Sequence, residues 1–510
     1  MTTTSNSLSL PEPKRRNPPD FATVEEADAW LAAQPQAQAT DMVKRIGIQV
    51  EAIDGASLPP ALAVSLLDRL HRAAIAPLAS LEGRYLRKPL PLLAEDRRCF
   101  ELSQRLWRTF GVAYLRLAPH FPPAEAVHPL HRAVSDLRMA QLCHFQAAEA
   151  CPALFDRLIV GVLMLGERAR QLRTPYKDRD FPGFGESNLA GHLAWAFLLR
   201  QIDPYRLTGA QLTVANRALS RWRELATFQS EVGDEPGEVL DLDILAEGTF
   251  PETLPRWLNV DKVRVKIKQR IEALAKGESP ESLKLGRELS ATACIRLLND
   301  LADHLTSAPS RLDHGSGEAE LVFGAENIWG LLRGEPLDPG IVTADSSKLS
   351  HERIAMFGFD QVSALATAVK YVNVPGEFWT LVDSHATRAP DAGPRRQSPC
   401  LIGRMVDDDP QMGIMTGLHT DAAGQLSARL LWLQEKVFAG RLHLPDEPES
   451  ACLPGFLISE GEHFGLIAPP NASLRPGRIV ELSYRQTRQL KLGEVLERGV
   501  DFVRYAVALA

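Results

Sequence analysis

The pattern of apolar residues changes once along this 510-residue chain, near residue 306, and this change restricts the folds that the chain can adopt. Before it, apolar residues recur at the spacing of one helix face, as in Leu62, Leu66 and Leu70. After it, apolar and polar residues alternate in short segments such as residues 480–485, which is typical of half-buried β-strands. The sequence therefore predicts an α+β protein, in which a large all-helical N-terminal region precedes a small antiparallel β-barrel.

Glycine, proline and polar clusters divide the chain into three parts. Residues 1–20 are predicted to form a disordered arm, because they lack an apolar periodicity. Residues 21–305 are predicted to form the helical region, with a sub-boundary near 175–190 where a proline and a glycine-bearing loop interrupt the pattern. Residues 306–510 are predicted to form the barrel domain, with an inserted helix at 348–373.

Composition limits the functions that this chain can serve. A net charge of −7 and a pI near 6.1 argue against a general nucleic-acid-binding protein, because such a protein needs a surplus of basic residues to neutralise the phosphates. The apolar run Leu158–Gly166 is too short to span a bilayer, and the N-terminus does not resemble a secretory signal. The six cysteines are scattered and form no CxxC pair, which is typical of proteins in a reducing compartment. We therefore expect a cytoplasmic protein without a transmembrane segment.

Candidates for catalysis and metal binding are weak in this sequence. Four histidines and one cysteine fall close together in the sequence: His120, His128, His131, Cys143 and His144. They lack the paired spacing of a zinc site. Ser187 follows Gly185 as in a nucleophile elbow, but Leu189 replaces the second glycine that the turn requires. Asp383, Ser384 and His385 are adjacent, and neighbouring strand residues cannot align as a triad. The sequence therefore predicts no catalytic residues, no metal and no cofactor.

The segment Phe378–Pro390 nevertheless resembles a known ligand motif. Receptors of the PilZ family, which bind cyclic-di-GMP, carry an R-x-x-x-R motif before a small β-barrel and a D/N-x-S-x-x-G motif on an early strand. Asp383 occupies the acidic position of the second motif, His385 the serine position and Arg388 the glycine position. In the loop before the barrel, Arg311 occupies the first arginine position, and a glycine stands at the second.

This resemblance implies a PilZ-like barrel and a non-enzymatic cytoplasmic regulator of the cyclic-di-GMP type. It implies ligand contacts at Arg311, Asp383 and His385, with Arg388 as a substitute cation. Because one arginine and the glycine of the motifs are missing, we expect the dinucleotide to bind weakly or no longer. The helical region would then act through a protein partner of unknown identity, or through homo-oligomer formation.

Two alternatives from other classes stay open. One is an interaction scaffold whose barrel has lost its ligand altogether. The other, which the motifs support less, is a hydrolase or metal enzyme of unrecognised type.

Overall fold

A computed structural model of the chain describes residues 10–13, 17–35, 38–178, 185–232, 238–245, 250–306, 316–337, 376–444, 452–460 and 463–510. The chain divides into two compact units. The first comprises Met1–Ser310 with His419–Leu426, and the second comprises Arg311–Leu418 with Ser427–Ala510. Part of the predicted arm over 1–20 and all of the predicted helix over 348–373 lie outside the described residues.

The first unit is built mainly from α-helices, as the apolar periodicity predicts. Their bounds are α1 Val24–Ala32, α2 Ala39–Gly55, α3 Pro60–Tyr85, α4 Ala94–Leu117, α5 Val127–Ala147, α6 Ala153–Ala169, α7 Leu189–Gln201, α8 Gly209–Trp222, α9 Leu242–Leu245, α10 Asp261–Ala275 and α11 Ala291–His304. Short 3₁₀ turns occupy Ala118–His120, Pro204–Arg206 and Arg223–Leu225.

Helix α5 forms the centre of this unit. Nearly all of its residues are buried, and it packs against α4, α6 and α7. A surface helix buries one apolar stripe, whereas a helix enclosed by others is buried on all sides. The enclosure of α5 explains why this helix buries polar side chains such as Arg138 and His131.

The start of α8 shows how a local sequence signal sets a helix boundary. The Thr208 hydroxyl accepts a hydrogen bond from the backbone N–H of Gln211 at 3.3 Å. In return, the Gln211 side chain accepts one from the backbone N–H of Thr208 at 2.9 Å. This reciprocal pair is a capping box, which satisfies two backbone donors that a helix N-terminus leaves without partners.

The helical region also contains two small sheets that the sequence pattern does not predict. Strands β1 Tyr176–Lys177 and β2 Glu186–Ser187 form an antiparallel pair. Strands β3 Thr227–Gln229, β4 Val239–Asp241 and β5 Trp257–Asn259 form a second sheet in the order β3-β5-β4. With two or three residues each, these strands are too short to show an alternation.

The C-terminal part of the chain contains two closed antiparallel barrels rather than the single predicted barrel. The first consists of β6 Ser316–Phe323, β7 Glu377–Val382, β8 His385–Arg388, β9 Cys400–Val406, β10 Asp409–Thr420 and β11 Leu426–Trp432, in the order β10-β11-β8-β7-β6-β9. The second consists of β12 Val437–His443, β13 Leu453–Glu460, β14 His463–Ala468, β15 Ile479–Tyr484, β16 Gln486–Arg498 and β17 Val503–Leu509, in the order β12-β13-β14-β17-β16-β15.

The predicted α+β class and the predicted strand character of the C-terminal part are confirmed. In β15, Val480 and Leu482 are buried while Glu481 and Ser483 are half-buried, as their alternation predicts. The predicted number of barrels was wrong, because the sequence indicates where strands lie but not which strands pair to close a barrel. Closure is set by pairs between distant segments, such as β12 with β15.

Helix α12, Ala325–Arg333, joins the cores of the two barrels. Ile328 and Trp329 belong to one apolar cluster with Leu401 and Met412 of the first barrel and Phe456 of the second. The two barrels therefore share part of their hydrophobic core.

Candidate functional site

The segment that resembles the ligand motif forms a tight β-hairpin rather than an open loop. Strands β7 and β8 pair with Thr380 opposite Thr387 and Val382 opposite His385. Asp383 and Ser384 form the connecting turn, and Asp383 has a φ of 54°. Aspartate is one of the few residues besides glycine that adopt this left-handed conformation readily. The local sequence therefore makes a turn at the position where the motif has its acidic residue.

Asp383 and His385 lie on the exposed side of this hairpin. The His385 Nε2 atom lies 3.4 Å from an Nη2 atom of Arg429 on the neighbouring strand β11. The turn end of the hairpin therefore presents a carboxylate and an imidazole to solvent, with the half-buried guanidinium of Arg429 next to the imidazole. The guanidinium could bind an anionic group of a ligand, whereas the carboxylate and the imidazole could form hydrogen bonds with its polar groups.

Arg388 lies on the opposite face of the same strand. Side chains along a strand alternate between faces, and in β8 this places His385 outside and Arg388 inside. The buried Arg388 guanidinium pairs with the Glu377 carboxylate and donates to the carbonyl oxygen of Pro394 at 2.8 Å. It also lies 4.8 Å from the ring centre of Trp379. In this arrangement Arg388 contributes to the barrel interior rather than to the surface around His385.

The ion pair of Arg388 is part of a small network around one carboxylate. Arg396 Nε donates to Glu377 Oε1 at 2.8 Å, so that Glu377 bridges two guanidinium groups. Burial lowers the pKa of Arg388, and the nearby Glu377 carboxylate acts in the opposite direction. Gly393 allows this packing, since a Cβ atom there would lie 2.4 Å from an Nη1 atom of Arg388. Arg311, the remaining predicted contact, lies outside the described residues.

Two of the histidines weighed as metal ligands, His128 and His131, contact other side chains. His128 Nε2 lies 2.8 Å from Asp68 Oδ2, and His131 stacks on Tyr176 with ring centres 4.5 Å apart. Burial, with His128 and Arg223 nearby, lowers the pKa of His131 to about 3, so this side chain is neutral near pH 7. Within the described residues, no group of three or more histidine, cysteine or acidic side chains could hold a metal ion.

A buried polar cluster in the first unit was not predicted from the sequence. The Cζ atom of Arg138 lies 3.4 Å from the ring centre of Trp195, and that of Arg223 lies 5.8 Å from the same ring. Arg223 Nε donates to the Ser187 hydroxyl at 2.7 Å, so the serine weighed as a nucleophile is a buried hydrogen-bond acceptor. Helical periodicity does not reveal such contacts, since they join residues from separate elements of the fold.

No helix in the described part of the chain is long and apolar enough to cross a membrane.

No curated protein and no solved structure matches the chain. A family model described as "Cyclic-di-GMP receptor FimW, N-terminal domain" matches residues 25–234, which is less than half of the chain and lies within the helical region. The N-terminal helical region is therefore similar to the N-terminal domain of a cyclic-di-GMP receptor family.

Proposed function

We propose that this protein is a non-enzymatic cytoplasmic effector of cyclic-di-GMP signalling, which acts through protein contacts of its helical unit. The observation that carries this proposal is the match of residues 25–234 to a cyclic-di-GMP receptor domain. The resemblance of the β7–β8 segment to the PilZ motif supports it independently, because that segment lies outside the matched residues. No cofactor is part of the proposal.

The proposed ligand contacts are Arg311, Asp383 and His385. Cyclic-di-GMP presents two phosphates and two guanines, so a guanidinium and short polar groups suit it chemically. Arg388 is a weaker candidate, since its guanidinium pairs with Glu377 in the barrel interior. With one motif arginine in place of two, we expect weak binding, because each charge-assisted contact contributes about 1.5–3 kcal/mol.

Calorimetric titration of the full chain with cyclic-di-GMP tests the proposal. We expect measurable binding that Arg311→Ala weakens about tenfold or more. Arg488→Ala is the matched control, because Arg488 is an exposed arginine on β16 of the second barrel. If excess cyclic-di-GMP produces no heat with the wild-type chain, the protein is not a receptor for this dinucleotide.

The interaction scaffold is a second candidate, and the orientation of Arg388 favours it. A strand that places His385 outside and Arg388 inside does not offer both groups to one small ligand. A scaffold would keep its cellular function in the Arg311→Ala variant, whereas an effector would lose it. Substitutions on exposed helical surfaces would impair function in both cases.

A further inference from the structure

A cavity of about 330 Å³ opens on the first unit, between residues 17–20 and the helices α1 and α2. Its lining includes Asp20, Trp30, Arg45, Ile48 and Gln49. The volume lies at the lower end of the range of small-molecule sites, which is about 300–1,000 Å³. It can hold one nucleobase with its sugar, but not a whole cyclic dinucleotide. The helices α1 and α2 fall largely within the residues that match the receptor domain.

One wall of the cavity is a flat and well-positioned indole. Trp30 is half-buried, and its Nε1 donates to Asp20 Oδ2 at 3.2 Å. Its ring also contacts Phe21, with ring centres 5.7 Å apart. Ile48 adds apolar surface and is 49% exposed. A fixed indole beside exposed aliphatic surface suits a planar ring that stacks on it.

Two charged groups of the lining keep hydrogen-bonding capacity. Asp20 Oδ2 accepts from Trp30 and from Gln49 Nε2, the latter at 2.8 Å, while Asp20 Oδ1 accepts no hydrogen bond from the described residues. Arg45 Nη1 donates to Gln34 Oε1 at 2.8 Å. A guanidinium has five N–H donors, and within the described residues the exposed Arg45 uses one of them, in the bond to Gln34.

We propose that this cavity binds the guanine of a guanine nucleotide. Guanine presents acceptors at O6 and N7, which arginine binds in bidentate fashion, and an amino donor at N2. Arg45 would donate hydrogen bonds to O6 and N7, Asp20 would accept a hydrogen bond from the amino group at N2, and the guanine ring would stack on Trp30. Adenine carries a donor at position 6 and has no 2-amino group, so the same side chains would disfavour it. This inference rests on the proposed function insofar as cyclic-di-GMP is the natural source of the guanine.

Titration of the full chain with GMP, AMP and cyclic-di-GMP tests the inference. We expect GMP to bind at least tenfold more tightly than AMP, and Trp30→Leu to weaken GMP binding about tenfold through loss of stacking. Trp30→Phe is the matched control, because it keeps an aromatic face and should retain most of the affinity. In a second pair of variants, Arg45→Gln should weaken GMP binding about tenfold. Lys44→Gln is its control, because it removes a positive charge one residue away and should leave GMP binding unchanged. A thermal melt of each variant verifies folding.

The outcomes separate this inference from the proposed function. Cyclic-di-GMP binding that is unchanged by Trp30→Leu and Arg45→Gln but lost in Arg311→Ala would overturn the inference and leave the proposed function intact. GMP binding that depends on Trp30 and Arg45, without any binding of cyclic-di-GMP, would support the inference and overturn the proposed function. Equal affinity for AMP and GMP, or no binding of either, would overturn the inference.

Discussion

The indole nitrogen of Trp329 lies 3.0 Å from the backbone carbonyl oxygen of Gly440, and this hydrogen bond connects α12 to the first strand of the second barrel. Trp329 is 1% exposed and belongs to the core that both barrels share. A Cβ atom at residue 440 would lie 2.9 Å from the Leu482 side chain, so glycine allows close packing here. The two barrels therefore depend on each other for part of their stability.

We expect Trp329→Ala to destabilise the second unit by about 3–5 kcal/mol, because it leaves a large cavity in the shared core. Trp329→Phe should cost less, since it keeps most of the apolar volume but removes the hydrogen bond to Gly440. Chemical denaturation measures both. Leu431→Ala is the control, because Leu431 is 41% exposed and should matter little. A Trp329→Ala variant as stable as this control would contradict the shared core.

We expect Arg388→Ala to destabilise the first barrel by about 1.5–3 kcal/mol, because the buried Glu377 carboxylate loses one guanidinium partner and keeps only Arg396. Arg488→Ala, at an exposed position, should leave stability nearly unchanged. Thermal and chemical melts measure both variants. If Arg388→Ala instead keeps full stability and loses cyclic-di-GMP binding, Arg388 is the substitute cation that the family resemblance implies.

Asp383 allows the turn and the ligand contact to be tested separately. Asp383→Gly removes the carboxylate but keeps a residue suited to a φ of 54°, so we expect unchanged stability. Asp383→Val places a β-branched residue in the same conformation and should cost about 1–2 kcal/mol. If Asp383 contacts cyclic-di-GMP, Asp383→Gly should weaken binding severalfold in a calorimetric titration. Unchanged binding would assign Asp383 to the turn alone.

The buried His131 predicts that stability falls in acid. Its pKa is lowered to about 3 in the folded chain, mainly by burial, whereas an unfolded histidine titrates near 6.5. Between about pH 3 and 6.5 the unfolded chain binds a proton at this histidine that the folded chain does not bind. Protonation therefore favours the unfolded chain, so the stability is unaffected by this histidine above about pH 6.5 and decreases progressively as the pH falls below it. We expect His131→Phe to have a shallower loss of stability between pH 6.5 and 4 than the wild type.

Melts at several pH values measure this effect, which amounts to about 1.4 kcal/mol per pH unit for one histidine. His120→Gln is the control, because it removes a histidine that is exposed rather than buried. An identical slope for His131→Phe and the wild type would show that His131 does not contribute to the acid sensitivity.

Several features could be predicted from the sequence because they depend on neighbouring residues. The helix that starts after Thr208 follows from a capping box four residues long. The strand around Leu482 follows from an alternation that is visible over six residues. The change from helices to strands near residue 306 follows from the same two periodicities, since each is encoded within a few turns or a few residues of strand.

The tertiary structure decided the features that join distant residues. Two barrels form instead of one, because β6 pairs with β9 and β12 with β15 across long stretches of chain. Arg388, which faces the interior, pairs there with Glu377, which lies eleven positions earlier on the neighbouring strand β7. The cavity beside Trp30 exists only where α1, α2 and the segment before them meet. A local pattern specifies an element and its buried face, but contacts between elements depend on how those faces are brought together in space.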